Sequence, residues 1–215
     1  MIALVDNDIL FKAACFDLFE ELILINRESA ETSVGVLGAA RYVIPKKIEK
    51  NVQVPIATAA KAAFQSFVDT AEIVEPTEEE QLMAADFELA AQRAAVALDS
   101  GESQLCAVLI VRGLRLLLTG DKRAIRALEQ LLDTDTRLTA LAGKVTCLEQ
   151  LVLEPLSTEN YSKFRTAVCR EPAVDKTLSI CFSCKVEEAT FESTTAGLKS
   201  YISDLRSQSN RILTP

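Results

Sequence analysis

Apolar positions along this chain fall into short unbroken runs and into stripes of helical period. The first run, "IALV" at residues 2–5, ends in Asp6. A run without polar alternation fits a parallel strand buried on both faces. Asp8 then reads as the N-cap of a helix through about Asn26, with Ile9, Leu10, Ala13, Ala14, Leu18 and Leu22 at helical spacing. "TSVGVLGAARYVI", residues 32–44, reads as a second, short helix, ended by Pro45 and the basic cluster Lys46, Lys47 and Lys50. "PIATAAKAAFQSFVD" predicts another helix with Pro55 near its start. "AEIVEP" reads as a short strand or an extended connection.

"TEEEQLMAADFELAAQRAAVAL" carries a Thr cap, acids in its first turn and strong helix formers behind them, and predicts a helix. The apolar run in "DSGESQLCAVLIVRG" alone would suit a strand, but Ser100 followed by an acid at the start and Gly113 at the end favour a helix. "LRLLLTGD", residues 114–121, is a second buried strand ending in an acid; "DKRAIRALEQLL" is a helix capped by Asp121; "KVTCLEQLV" contains a third short strand. Strand-then-helix units therefore recur, which argues for an α/β fold with a parallel sheet. Sites in such sheets form outside the carboxyl ends of the strands, where Asp6 and Asp121 both stand.

After about Leu156 the chain becomes more polar, and three further helices are expected, separated by Pro172 and by Gly, Thr and Ser breaks. The expected organisation is an α/β domain over residues 1–154 and a helical extension over 155–215. In the last helix Leu198, Ile202 and Leu205 make one apolar stripe. Such a stripe either covers the sheet or builds a homodimer interface.

A length of 215 residues suffices for one sizeable core. With 49% hydrophobic and 25% charged residues the composition is that of a soluble globular protein. No apolar run approaches the ~20 residues that span a bilayer, and the N-terminal run lacks the basic lead of a signal peptide. The expected compartment is the cytosol, where the six cysteines stay thiols. "CFSC", with Cys181 and Cys184, has the spacing of a redox pair or half a zinc site, but Cys169 is alone and no second pair exists. Two buried thiols sharing a helix face with Leu178 are the expectation.

A net charge of −8 argues against coating nucleic acid by bulk charge. The absence of histidine says more. It removes Ser-His-Asp and Cys-His catalysis and most zinc hydrolase sites. Hydrolytic chemistry then falls to carboxylates holding hard ions such as Mg²⁺ or Mn²⁺. Asp8, Asp99 or Ser100, and Asp121 also read as helix caps, and Glu102 as a capping-box acid. Asp6 differs, because it follows an apolar strand, where an unpaired buried charge is costly.

Strand–Asp at the N-terminus, "DSGES" opening a helix and "LLLTGDKRAIR" after it together resemble a PIN domain, over roughly residues 1–153. The resemblance implies a parallel sheet sandwiched by helices. It also implies metal-dependent ribonuclease activity, with carboxylates holding Mg²⁺ or Mn²⁺ and hydrolysing a phosphodiester. Many members of that family are bacterial toxins, so an antitoxin-like partner belongs to the same implication. Asp6 matches the acid after the first strand, Glu102, with Asp99 close by, the acid at the helix start, and Asp121 the acid after the following strand. The family usually places a Glu in the second helix, where this chain has Gly38, Ala39, Ala40 and Arg41. Asp8 or Asp99 is the candidate replacement; without one the chain becomes a PIN-fold binding module lacking activity. Lys122, Arg123 and Arg126, which begin the helix capped by Asp121, are candidates to hold phosphates, with Lys46 and Lys47 as a second basic cluster. A weaker resemblance links "LVDNDIL" and "LLLTGD" to haloacid dehalogenase-like phosphatases, with Asp6 as nucleophile and Asp8 as acid/base. The acid pair expected after Asp121 is not matched there, since Asp133 and Asp135 lie in a turn, "LLDTDTR".

Overall fold

Residues 3–23, 33–51, 54–186 and 188–215 are described by the structure, a computed structural model. Among them run five strands: β1 (Ala3–Val5), β2 (Val34–Leu37), β3 (Glu72–Val74), β4 (Leu116–Thr119) and β5 (Val145–Cys147). All pair in parallel, in the order β3-β2-β1-β4-β5. Leu4 lies opposite Gly35 on one side and Leu117 on the other. The chain thus starts in the middle of the sheet, moves outward through β2 to β3, and returns to the far side of β1 with β4. That reversal makes the carboxyl ends of β1 and β4 a topological switch point.

Side chains of a strand alternate between faces, and the strands here supply two cores. Leu4, Leu37, Val74, Leu117, Val145 and Cys147 face one, with α5 (Glu78–Arg93), α6 (Ser100–Val111) and α7 (Lys122–Leu131) over them. Val5, Val34, Val36 and Leu118 face the other, under α1 (Asn7–Phe16), α3 (Ala40–Asn51) and α4 (Val54–Val68). The architecture is a parallel sheet with helices on both faces. Among the described residues no helix is long and apolar enough to cross a membrane.

Local chemistry explains most helix boundaries. Thr77 and Glu80 form a capping box on α5, and Asp99 and Glu102 form another on α6. At the other end of α6, Gly113 takes φ 63°; its N–H reaches the Ile110 carbonyl and the Leu114 N–H reaches Leu109, the paired bonds of a Schellman stop. Asp121 caps α7, its Oδ1 accepting from the N–H groups of Arg123 and Ala124.

Three expectations are corrected. The segment read as one short helix over 32–44 is β2 followed by α3. Val34 and Val36 are β-branched and fully buried between β1 and β3, whereas Ala40, Ile44 and Ile48 mark the buried helical stripe of α3. Pro45 lies inside that helix instead of ending it, so α3 forgoes the Pro45 to Arg41 backbone bond. The long first helix stops at Phe16: Asp17 turns left-handed (φ 56°), and a short α2 (Phe19–Leu22) follows. It starts at Asn7, with Asp6 and not Asp8 in the N-cap position; its expected end near Asn26 lies outside the described residues.

Residues 155–215 continue both cores. Beyond α8 (Leu148–Leu153) come α9 (Tyr161–Arg170), α10 (Lys176–Cys181) and α11 (Phe191–Gln208). Phe164, Leu178, Phe182 and Leu198 join the α1 core; Leu205, Ile212 and Leu213 join the α6 core. Leu198 and Leu205 are buried within the chain and Ile202 is half-buried, so the stripe offers no basis for a homodimer. The last residues dock along β5: the Val145 N–H donates to the Ile212 carbonyl at 2.9 Å and Thr214 N–H to Val145 at 2.8 Å. Arg211 anchors them by pairing with Glu129 and Asp133, each at 2.6 Å.

The thiol expectation fails for one pair. Cys169 and Cys184 form a disulfide, with Cα atoms 5.1 Å apart. Helix α10 ends at Cys181, and Ser183 at φ 48° turns the chain, which takes Cys184 off the face of Leu178 and toward α9. Cys181 remains a buried thiol, as do Cys15, Cys106 and Cys147.

Candidate functional site

At the switch point the chain opens a cleft of about 500 Å³, lined by Asp6, Asp8, Asp99, Glu102 and Asp121 together with Lys47, Arg123 and the α6 N-terminus. Asp6 leaves β1, Asp121 follows β4 by two residues, and the capping box of α6 brings Asp99 and Glu102 between them. Five carboxylates therefore face two basic side chains across one opening. A groove of equal size between α8, α11 and residues 214–215 has one acid, Glu154, in its lining.

The acids differ in how their charge is met. Asp6 is 7% exposed and rests on Leu105, Cys106, Leu117 and Leu128. Burial in that apolar wall pushes its pKa up to about 6, against the opposing hydrogen bond that Thr119 donates to Oδ2 at 3.0 Å. Glu102, 8% exposed, is driven further, to about 8, mainly by burial and additionally by the charges of Asp99, Asp121 and Asp6. Its Oε2 accepts only the Asp99 N–H, at 2.9 Å, among the described residues. Burial also opposes ionisation of Asp121, but Arg123, the Arg123 N–H and the Ala124 N–H outweigh it and hold that carboxyl below the usual range. Arg123 reaches Asp121 Oδ2 at 2.8 Å.

Asp8 is met by lysines. Lys12, one helical turn along α1 and 7% exposed, reaches Asp8 Oδ2 at 2.5 Å and Asp175 Oδ2 at 2.8 Å; Lys47 approaches Asp8 Oδ1 at 3.5 Å. Burial alone would discharge Lys12, but the two carboxylates outweigh it and raise its pKa. Gly120 permits this arrangement, because a Cβ there would collide with Asp8 and crowd the Lys12 ammonium. Lys12 and Asp175 were invisible to the sequence reading, although the Asp8-to-Lys12 spacing of four was a usable signal. At Gly38, between β2 and α3, a side chain would strike the Glu75 carboxylate beyond β3.

The basic candidates separate. Lys47 and Arg123 line the cleft, and Lys46 is exposed on α3. Lys122 is corrected: it points away, 2.5 Å from the buried Glu149 and 3.2 Å from the Thr177 hydroxyl, over the Tyr201 ring. Arg126 likewise turns to α11, 3.7 Å from Asp204, with its Nε buried and unpartnered. The buried Glu149 on α8 and Asp204 on α11 draw these two side chains off the cleft. Asp133 and Asp135 pair with Arg211 and Arg137.

The donor chemistry suits a hard divalent cation, since every acidic side chain lining the cleft offers carboxyl oxygens, and the buried carboxyls of Asp6 and Glu102 lack a cationic partner among the described residues. As the side chains stand, however, no three His, Cys, Asp or Glu among the described residues are grouped to hold an ion. Fold and site together define a parallel α/β protein with an acid-lined cleft at its switch point. Comparison with protein-family models, with curated proteins and with solved structures finds no match to this chain.

Proposed function

We propose that the chain is a PIN-like, metal-dependent nuclease that hydrolyses phosphodiester bonds in RNA. The observation that carries the reading is the convergence of Asp6, Asp99, Glu102 and Asp121 on one cleft, with two of these acids buried and lacking a cationic partner among the described residues. Carboxylates so gathered repel one another, and a cation relieves that repulsion. Asp6, Glu102 and Asp121, with Asp99 or Asp8 beside them, are the residues that would hold Mg²⁺ or Mn²⁺, and the ion would lower the pKa of bound water and neutralise phosphate charge. The protein's own residues do the rest. Thr119 orients Asp6, the α6 capping box orients Glu102, and Lys47 and Arg123 provide positive charge for phosphate oxygens. In the hydrolysis a water oxygen bonds to phosphorus, the ester P–O bond breaks, and the leaving oxygen gains a proton.

A second reading, a PIN-fold binding module without activity, is favoured by the internal pairing of Asp8 with Lys12 and of Asp121 with Arg123, which occupies two of the five acids. Cleavage of end-labelled single-stranded RNA with Mg²⁺ or Mn²⁺ separates the two. The nuclease reading expects cleavage that Asp6→Asn abolishes. Binding without cleavage under either metal supports the module, and cleavage that survives Asp6→Asn refutes the site.

A further inference from the structure

Helix α3 concentrates positive charge on a protein of net charge −8: Arg41, Lys46, Lys47 and Lys50 stand against one acid, Glu49. Its core stripe is Ala40, Ile44 and Ile48, so the remaining positions face outward. Tyr42 on this outward side is 72% exposed, the most exposed of the large hydrophobic side chains among the described residues. Lys46 follows Tyr42 by four residues and shares its face. Lys50 follows Lys46 by another four, and Lys47 reaches round the helix into the acid cleft, 3.5 Å from Asp8. An exposed ring and two ammonium groups therefore stand on the outer side of the same helix whose Lys47 lines the cleft.

We infer that this face of α3 is a docking surface for single-stranded nucleic acid, with Tyr42 stacking a base and Lys46 and Lys50 holding the phosphates of the strand whose neighbouring linkage enters the cleft. The inference rests on the nuclease reading for the orientation of the strand, and it deepens that reading by naming the substrate form. Charge complementarity chooses the occupant: four basic side chains on one helix of an acidic protein select a polyanion. The exposed ring chooses the form. A duplex keeps its bases stacked on one another, whereas a single strand offers a base face to an aromatic side chain, a contact that tolerates any sequence. Helical rise places Tyr42 and Lys46 about 6 Å apart along the axis, a step of the same order as an extended nucleotide.

The test is fluorescence anisotropy of a labelled single-stranded oligoribonucleotide in EDTA, where no metal-dependent cleavage occurs, with a duplex of the same sequence as a second probe. Tyr42→Ala is expected to weaken single-strand binding on the order of tenfold, and Tyr42→Phe to leave it unchanged. Lys46→Ala with Lys50→Ala is expected to lower the slope of log affinity against log salt by about 1.4, two contacts at ~0.7 each for a single strand. Thermal melts establish that the variants fold; the exposed ring makes little contribution to the core. Equal affinity for duplex and single strand, or no effect of Tyr42→Ala, overturns the inference, and if wild type still cleaves RNA in an Asp6-dependent manner the nuclease reading survives that failure. A Tyr42→Ala effect on sedimentation of the chain alone, with RNA binding unmoved, overturns it in favour of a protein contact. Absence of RNA binding by wild type in EDTA overturns the inference, and absence of Asp6-dependent cleavage with Mg²⁺ or Mn²⁺ overturns the nuclease reading.

Discussion

Replacing Asp6 by Asn should make the metal-free protein more stable, and only above a defined pH. In the folded state burial lifts the Asp6 carboxyl from 3.8 to about 6. A group whose folded pKa exceeds its unfolded one favours folding while protonated in both states, below about pH 4. That contribution is lost as pH rises through 6. Each pH unit of displacement is worth about 1.4 kcal/mol, so ionised Asp6 costs about 3 kcal/mol by pH 8 relative to pH 4. Asn carries no charge, and its carbonyl oxygen still accepts the Thr119 hydroxyl. For a chain of this length, 3 kcal/mol corresponds to about 6–12 °C in melting temperature. The assay is thermal unfolding of wild type and Asp6→Asn in EDTA at pH 4.5, 6 and 8. The two proteins should differ by about 1 kcal/mol at pH 4.5 and by most of the full ~3 kcal/mol already at pH 6, with Asp6→Asn melting higher at pH 8. A pH-independent offset, or an Asp6→Asn protein less stable at pH 8, refutes the assignment of Asp6 as a buried, uncompensated acid. Nuclease activity plays no part in the readout.

Adding Mg²⁺ or Mn²⁺ should stabilise wild type by about 2.7 kcal/mol at a hundredfold excess over the dissociation constant. Asp121→Asn should shrink that response while still capping α7; an unchanged response would reduce Asp121 to a cap. Lys12→Met should cost about 3 kcal/mol in urea unfolding by removing the ion pair of Asp175 and leaving Asp8 with Lys47 alone. Adding Asp175→Asn should restore part of the loss, whereas simple additivity would contradict the coupling. Thr77→Ala, which removes one half of the α5 capping box, should cost about 1 kcal/mol by the same measurement, with Thr77→Ser close to wild type.

What the sequence made legible follows the range of the interactions involved. Strands β1 and β4 end in acids after unbroken apolar runs, and α5, α6 and α7 open with Thr77, Asp99 and Asp121, so boundary and pattern agree locally. Strand β2 was hidden. Four buried residues, "VGVL", have no period of their own and lead through Gly38 and Ala39 into a helix that is also apolar on one side. Pro45 misled further, because the helix tolerates it. In the site, Asp6, Glu102 and Asp121 were readable from their places at strand ends and helix starts. Lys12, Asp175, Glu75 and Glu149 were not, because each acquires its role from a partner distant in sequence. The direction of Lys122 is the same lesson: helical position put it at the mouth of α7, and the buried Glu149 turned it away.

The docking of residues 211–214 along β5 has a consequence for the order in which the molecule is made. Strand β5 is an edge of the sheet, and its outward hydrogen bonds go to main chain that arrives much later: Val145 donates to the Ile212 carbonyl and accepts from the Thr214 N–H. While those residues are being synthesised, the nascent β5 presents unpaired amides and carbonyls, a template on which a neighbouring chain can add a strand. That edge is completed only once residues 211–214 have followed, and it is locked by Arg211 closing on Glu129 and Asp133. A chain interrupted before Arg211 keeps the acids of the cleft and most of its core, yet carries an open edge that favours self-association.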